Sequence, residues 1–169
     1  MVSGAKAKTA SLVLTLVVTA IALWSPDLTG MGLYPECSLW QRLSYPFLHA
    51  SLLHCAVNCW VLLSVVFSRK VPFWQLFAAY IIAITYPVSI FASLAEYDAV
   101  VGLSGVVFAL IGIITPSTAK LVAGVLYVVT LVLISAFMPN VAWTLHLYCY
   151  LVGLIFVGMI TTPMSWQRS

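Results

Sequence analysis

Apolar residues fill six long runs, roughly 10–25, 44–67, 73–94, 99–114, 119–138 and 141–160, and the stretches between them carry nearly all the charge. A helix crossing a ~30 Å hydrocarbon core needs about 20 residues at 1.5 Å each. The second, third, fifth and sixth runs meet that length. The fourth is short, with Pro116 close behind it, and is expected to start below the membrane surface. Non-helical backbone at that depth has to be shielded by protein or line a wet cavity. The pattern predicts an all-α polytopic membrane protein, a bundle of six transmembrane helices in a single domain over residues 1–169. The first run has a second aspect. Lys6 and Lys8 ahead of it, and "AIA" at 20–22, mimic a signal peptide. Trp24 at its far end reads as an interface anchor, so the run is expected to be a span.

Composition strengthens this picture. Of the 169 residues, 63% are hydrophobic and 7% charged, with a mean hydropathy of +1.12, whereas a soluble domain carries about 25% charged residues. No soluble domain fits beside the runs, so any chemistry belongs within the bilayer or at its edge. Cys37 lies in a loop, Cys55, Cys59 and Cys149 lie in apolar runs, and no disulfide framework emerges. The net charge of +3 is too small and too dispersed for nucleic acid binding.

The placement of charge orients the helices. With the N-terminus inside, Lys6, Lys8, Arg69, Lys70, Lys120 and Arg168 fall on the inner side and only Arg42 falls outside. The acids Asp27, Glu36, Glu96 and Asp98 fall outside as well, but basic residues are the ones that set orientation. Both termini are therefore expected in the cytoplasm. The second, fourth and sixth helices then all begin at the outer face. Ser104 stands about five residues into the fourth run, His146 about five into the sixth, and His54 and Asn58 ten to fourteen into the second. Residues far apart in sequence are thus expected to share an outward-opening cavity.

Read alone, each of these polar residues has a structural explanation. His54 and Asn58 are four apart in "HASLLHCAVNCW" and share a helix face. Polar groups are costly against lipid, so the pair is expected to face the bundle interior. There it is either a structural hydrogen-bonding pair or a pair of donors aimed at developing negative charge. Cys55 and Cys59 lie on the same helix, but neither C-x-x-C nor H-E-x-x-H spacing occurs, and no metal is expected. His49, more than one turn before His54, reads as a hydrogen bonder that fixes a loop. Ser104 sits between Gly102 and Gly105 in "VVGLSGVVFALIG". A serine there can bond back to the backbone, and the glycines can serve close helix packing. As a nucleophile it needs a base within hydrogen-bond reach. Of the three histidines, His146 best matches its depth. In "WTLHLYCYLVGLIFVG", Cys149 and Gly153 follow His146 at three and seven positions, on roughly its side of the helix. Small residues there admit the close approach that a serine–histidine bond between helices requires. Neither Glu96 nor Asp98 lies within an apolar run, so a two-residue arrangement is expected. Phe108, one turn after Ser104 on the same face, can help hold the imidazole.

Taken together, these motifs resemble those of the rhomboid-family intramembrane serine proteases, over nearly the whole chain and in the compact six-helix bacterial form. "GLSG" resembles the family's G-x-S-G, which makes Ser104 the counterpart of the nucleophile. "HCAVN" resembles H-x-x-x-N, which implies an oxyanion site at His54 and Asn58, completed by the Ser104 backbone N–H. "HLYCYLVG" resembles the motif in which the catalytic histidine is followed by small residues, which gives His146 the general-base role. His49 falls where the family has an additional histidine, and "LWQRLSYPFLH" resembles the end of its long first loop. The chain departs from the family in three places. Cys149 stands where glycine is frequent, Phe108 stands where tyrosine is common, and Gln41 separates Trp40 from Arg42.

The resemblance implies an intramembrane serine endopeptidase with no cofactor. Its substrates would be transmembrane segments of other proteins, and its setting a lipid bilayer, namely a bacterial inner membrane, with the site opening outward. The alternative is a rhomboid-like pseudoprotease that binds such segments without cutting them. Such a protein is defined by loss of the serine or the histidine, and this chain keeps both. A small transporter would usually show inverted repeats or paired interrupted helices, and no convincing repeat is present. A structural scaffold leaves the Ser, His and His–Asn constellation unexplained.

Overall fold

The computed structural model describes residues 2–24, 28, 30–91, 99–117, 121–137 and 141–161. Its helices are α1 (Val2–Trp24), α2 (Leu39–Ser44), α3 (Leu52–Ser68), α4 (Phe73–Ile84), α5 (Val88–Phe91), α6 (Ser104–Ile114), α7 (Leu121–Ser135) and α8 (Trp143–Thr161). Among the described residues there is no β-strand, only an isolated antiparallel bridge between Leu33 and Val100. The all-helical architecture expected from the apolar runs is present.

Its boundaries differ from the runs where local chemistry intervenes. The run 44–67 is not one helix. Leu39–Phe47 and Leu52–Ser68 meet at 82°. Pro46 confines Tyr45–Phe47 to a 3-10 turn, and the Ser51 hydroxyl then accepts from the His54 N–H and starts α3 afresh. The run 73–94 stops being α4 at Ile84, because Pro87 disfavours helical backbone at Tyr86. The run 99–114 becomes helical only at Ser104, and Gly102 just before it has φ +122°. That value favours glycine and ends any helical path through 99–103. The first helix begins earlier than its apolar run, at Val2.

Helix length does not establish six spans. Among the described residues, α1 alone is long and apolar enough to cross a membrane, and the bent pair with α3 offers a second crossing. The 11-residue α6 spans only about 16 Å at 1.5 Å per residue. Asp27, Glu96, Asp98, Lys120 and Arg168, five of the charges used for orientation, lie outside the described residues.

Packing fixes the directions of the helices. Val18 and Ala22 of α1 pack on Cys55 and Cys59 of α3, while the Lys8 ammonium sits 5.1 Å from the Phe67 ring centroid. The two helices are therefore antiparallel. Lys8 is drawn to the same end of the bundle as Arg69 and Lys70, which follow α3. Helices α6 and α8 run parallel, with Gly105 beside Leu145 and Ala109 beside Gly153. Gly102 lies against His54 and Asn58 in the early turns of α3, so α3, α6 and α8 all start at one end. The core is the buried α4–α6–α8 interface, built from residues such as Ala83, Val106, Leu110 and Leu145. Helix α7 lies outside it, with only Val128 and Val132 buried among its described residues.

Candidate active site

Ser104 is the first residue of α6 and is buried. The segment leading to it is held by the loop after α1 and by the turn before α3. Leu33 and Val100 exchange backbone hydrogen bonds at 2.9 and 3.2 Å, the Gly102 N–H donates to the Tyr45 carbonyl at 3.0 Å, and the Leu103 N–H donates to His49 Nε2 at 3.3 Å. Among the described residues these backbone anchors lie within residues 33–49. His49 is buried and packs edge-on against His54, with ring centroids 5.2 Å apart. It sits directly behind the backbone that presents Ser104.

The oxyanion-site candidates meet the start of α6 through Gly102. A Cβ built on Gly102 would lie 2.8 and 3.0 Å from Cε1 and Nε2 of His54, and 3.6 Å from Nδ2 of Asn58. Glycine is needed there twice, for its positive φ and for the imidazole against it. Asn58 is buried, and its Nδ2 has no hydrogen-bond partner. A buried donor left unsatisfied costs roughly 1–3 kcal/mol. Leu103, which precedes α6, offers no side-chain cap, so the first N–H groups of the helix are uncapped on the same side. Unspent donors thus gather around Gly102.

His146 lies in the first turn of α8 and is buried. The Phe108 ring stacks on its imidazole, with centroids 4.3 Å apart and planes 12° from parallel. Phe108 is one turn below Ser104, so this stack sets His146 beside the α6 face that carries the serine. Nδ1 of His146 is buried without a partner, and no hydrogen bond joins Ser104 to His146 among the described residues. Glu96 and Asp98 fall outside the described residues, so packing alone is seen to orient this ring.

The small residues act as spacers. Gly105 faces Tyr45, Ala83 and Leu145, and an added Cβ would lie 2.9 Å from the Tyr45 hydroxyl. That hydroxyl donates to the Ala83 carbonyl at 3.0 Å. At Gly153 an added Cβ would overlap the carbonyl oxygen of Ala109. Cys149, one turn before Gly153 on α8, is a free thiol fully buried in the core. Gly112 makes the reciprocal contact, since a Cβ there would overlap the carbonyl oxygen of Tyr150. The motifs around Ser104 and His146 do not single out Gly112. Its sequence signal is the seven-residue interval from Gly105, which puts both glycines on one stripe of α6.

With this geometry in view, a scan against protein-family models matches residues 36–163 to the Rhomboid domain. The chain belongs to the rhomboid family. Rhomboids are integral membrane proteins, and the family is generally one of intramembrane serine proteases. The matched region takes in the bent pair, α4, α6 and α8, and therefore every candidate side chain of this rhomboid. Neither the curated proteins nor the solved structures contain a match to it.

Proposed function

We propose that this rhomboid is an intramembrane serine endopeptidase that hydrolyses peptide bonds in or near transmembrane segments of other proteins. The observation that carries the reading is the set of unspent donors around Gly102. Asn58 Nδ2 and the uncapped start of α6 converge beside Ser104. A purely structural hydrogen-bonding pair would have its donors satisfied.

In this reading Ser104 Oγ attacks the scissile carbonyl, and its proton passes to His146. The carbonyl oxygen becomes an oxyanion, which accepts from the Asn58 amide, from His54 and from the Ser104 backbone N–H. His146 then protonates the leaving amine, and water resolves the acyl-enzyme by the same route in reverse. Phe108 holds the imidazole, His49 holds the approach to Ser104, and Gly102, Gly105, Cys149 and Gly153 let the elements close together. The serine and histidine are neighbouring groups that draw together when substrate is bound, as catalytic hydrogen bonds often tighten only in the complex.

The chain takes six crossings in this reading, with both termini in the cytoplasm and the site opening to the outer side of a bacterial inner membrane. The bent pair and the short α6 then form the outer half of a cavity that water can enter. A substrate segment has to unwind to reach Ser104. Unwinding bares backbone groups that are costly in lipid, so small or helix-weak residues are favoured at the cleavage site.

Reconstitution in lipid vesicles with a model transmembrane substrate tests the activity. Wild type should release a product cut in or near the segment, and a fluorophosphonate should label Ser104. A protein that binds the segment, never cuts it and stays inert to the probe is a pseudoprotease, and that result would overturn the reading. Two substitutions examine the roles around the serine. Asn58→Ala should lower kcat by about 10²–10³-fold, the effect of removing one oxyanion donor. Phe108→Leu keeps an apolar group but loses the stack, which is worth about 0.5–1.5 kcal/mol. Cleavage should then fall about 3- to 10-fold. Unchanged kcat in Asn58→Ala would remove that residue from the oxyanion site.

A further inference from the structure

The face of α8 opposite His146 is tied to the C-terminal end of α4 by a buried hydrogen bond. The Tyr86 and Thr144 hydroxyls lie 2.6 Å apart, and both residues are buried. Thr144 and Tyr148 are four apart and share one helix face, while His146 is about 200° from each at 100° per residue. Tyr148 belongs to the same tie. Its hydroxyl lies 3.3 Å from both the hydroxyl and the carbonyl oxygen of Thr85, and its ring meets that of Tyr86 edge-on at 5.5 Å. Tyr86 is itself braced. Phe91 stacks on its ring at 5.4 Å, and Arg42 Nη1 donates to its carbonyl at 2.8 Å.

We infer that Tyr86 is a positioning residue for His146, acting through Thr144. The inference rests on the reading of His146 as the base for Ser104. Among the described residues no acid pairs with His146, whose Nδ1 has no partner, so its imidazole is fixed by other means. Phe108 restrains the ring on its own side, but a stacked ring still slides in its plane, and the first turn of a helix frays easily. Thr144 is the second residue of α8, so the Tyr86 hydroxyl holds the turn on which His146 stands. The end of α4 is suited to this task. Pro87 stops the helix, and Tyr86 is turned out of it with its carbonyl accepting from both Val88 N–H and Arg42. Through Arg42, helix α2 also bears on the position of His146.

The experiment compares Tyr86→Phe, Thr144→Val, the double variant and Thr144→Ser, each reconstituted in vesicles. Three quantities are read for each: the rate of fluorophosphonate labelling, kcat and KM for a transmembrane substrate, and the unfolding midpoint. Tyr86→Phe and Thr144→Val should each lower the labelling rate and kcat by about 10- to 100-fold, the scale of a misplacement of about 1 Å. KM should change little, because the tie lies behind the base and not in the substrate path. The double variant should be no slower than the worse single variant, since one bond is lost in all three. Thr144→Ser keeps the hydroxyl and should label at close to the wild-type rate. Labelling at the wild-type rate in Tyr86→Phe overturns the inference, as do losses that multiply in the double variant. A labelling rate that falls only in step with the folded fraction also overturns it, because the bond is then merely structural. Wild-type protein that neither labels nor cleaves defeats the reading of Ser104 and His146 itself, and that outcome is distinct from the others.

Discussion

Ser104→Ala is expected to abolish cleavage, a loss on the order of 10⁴–10⁶ in kcat. His146→Ala should match it. The two residues act as a unit, so the double variant should be no worse than either single one. Burial separates this from a folding effect. The Ser104 hydroxyl, at the start of α6, makes no hydrogen bond among the described residues, so alanine removes one oxygen and leaves the packing around Val106 and Val107 intact. The unfolding midpoint should be close to that of wild type while activity disappears. His146→Ala also loses the Phe108 stack and should lower the midpoint modestly. Cleavage that survives in Ser104→Ala, measured by product release in vesicles, would rule out the serine mechanism.

The second large effect concerns stability. Gly112→Ala and Gly153→Ala should each destabilise the fold by about 2–3 kcal/mol or more, the upper part of the overpacking range. Alanine in an ordinary helix position is favoured over glycine by about 1 kcal/mol, so the sign depends on the neighbours. At Gly112 and Gly153 the neighbours are the carbonyl oxygens of Tyr150 and Ala109, and backbone does not yield as a flexible side chain does. Gly158 on the same helix has nothing within 4 Å of an added Cβ, and Gly158→Ala should be neutral or slightly stabilising. Unfolding midpoints in detergent measure all three. Equal midpoints for Gly153→Ala and Gly158→Ala would contradict the close crossing.

Much of this arrangement was legible in the sequence because the motifs are local. Polar residues in apolar runs are few, and their spacing on α3, α6 and α8 is enough to place Ser104, His146, His54 and Asn58 at one end. The short fourth run was legible too, and the helix is shorter still, because Gly102 departs from helical backbone. Hydropathy could not show that 44–67 is bent or that 73–94 breaks at Thr85, since apolar side chains continue through both breaks. There the decision belongs to Pro46, Ser51 and Pro87, single residues that a window average dilutes. The tie between Tyr86 and Thr144 was illegible for a different reason. Neither residue belongs to a motif, and 58 positions separate them.

The glycine contacts between α6 and α8 also bear on motion. Two helices packed this closely at Gly112 and Gly153 cannot slide or tilt past each other without breaking those backbone approaches. Ser104 and His146 therefore ride on one mechanical part, and under the proposed function a substrate segment is not admitted by prying them apart. Any opening falls to neighbours that are less firmly seated than this pair, and α7 buries only Val128 and Val132 among its described residues.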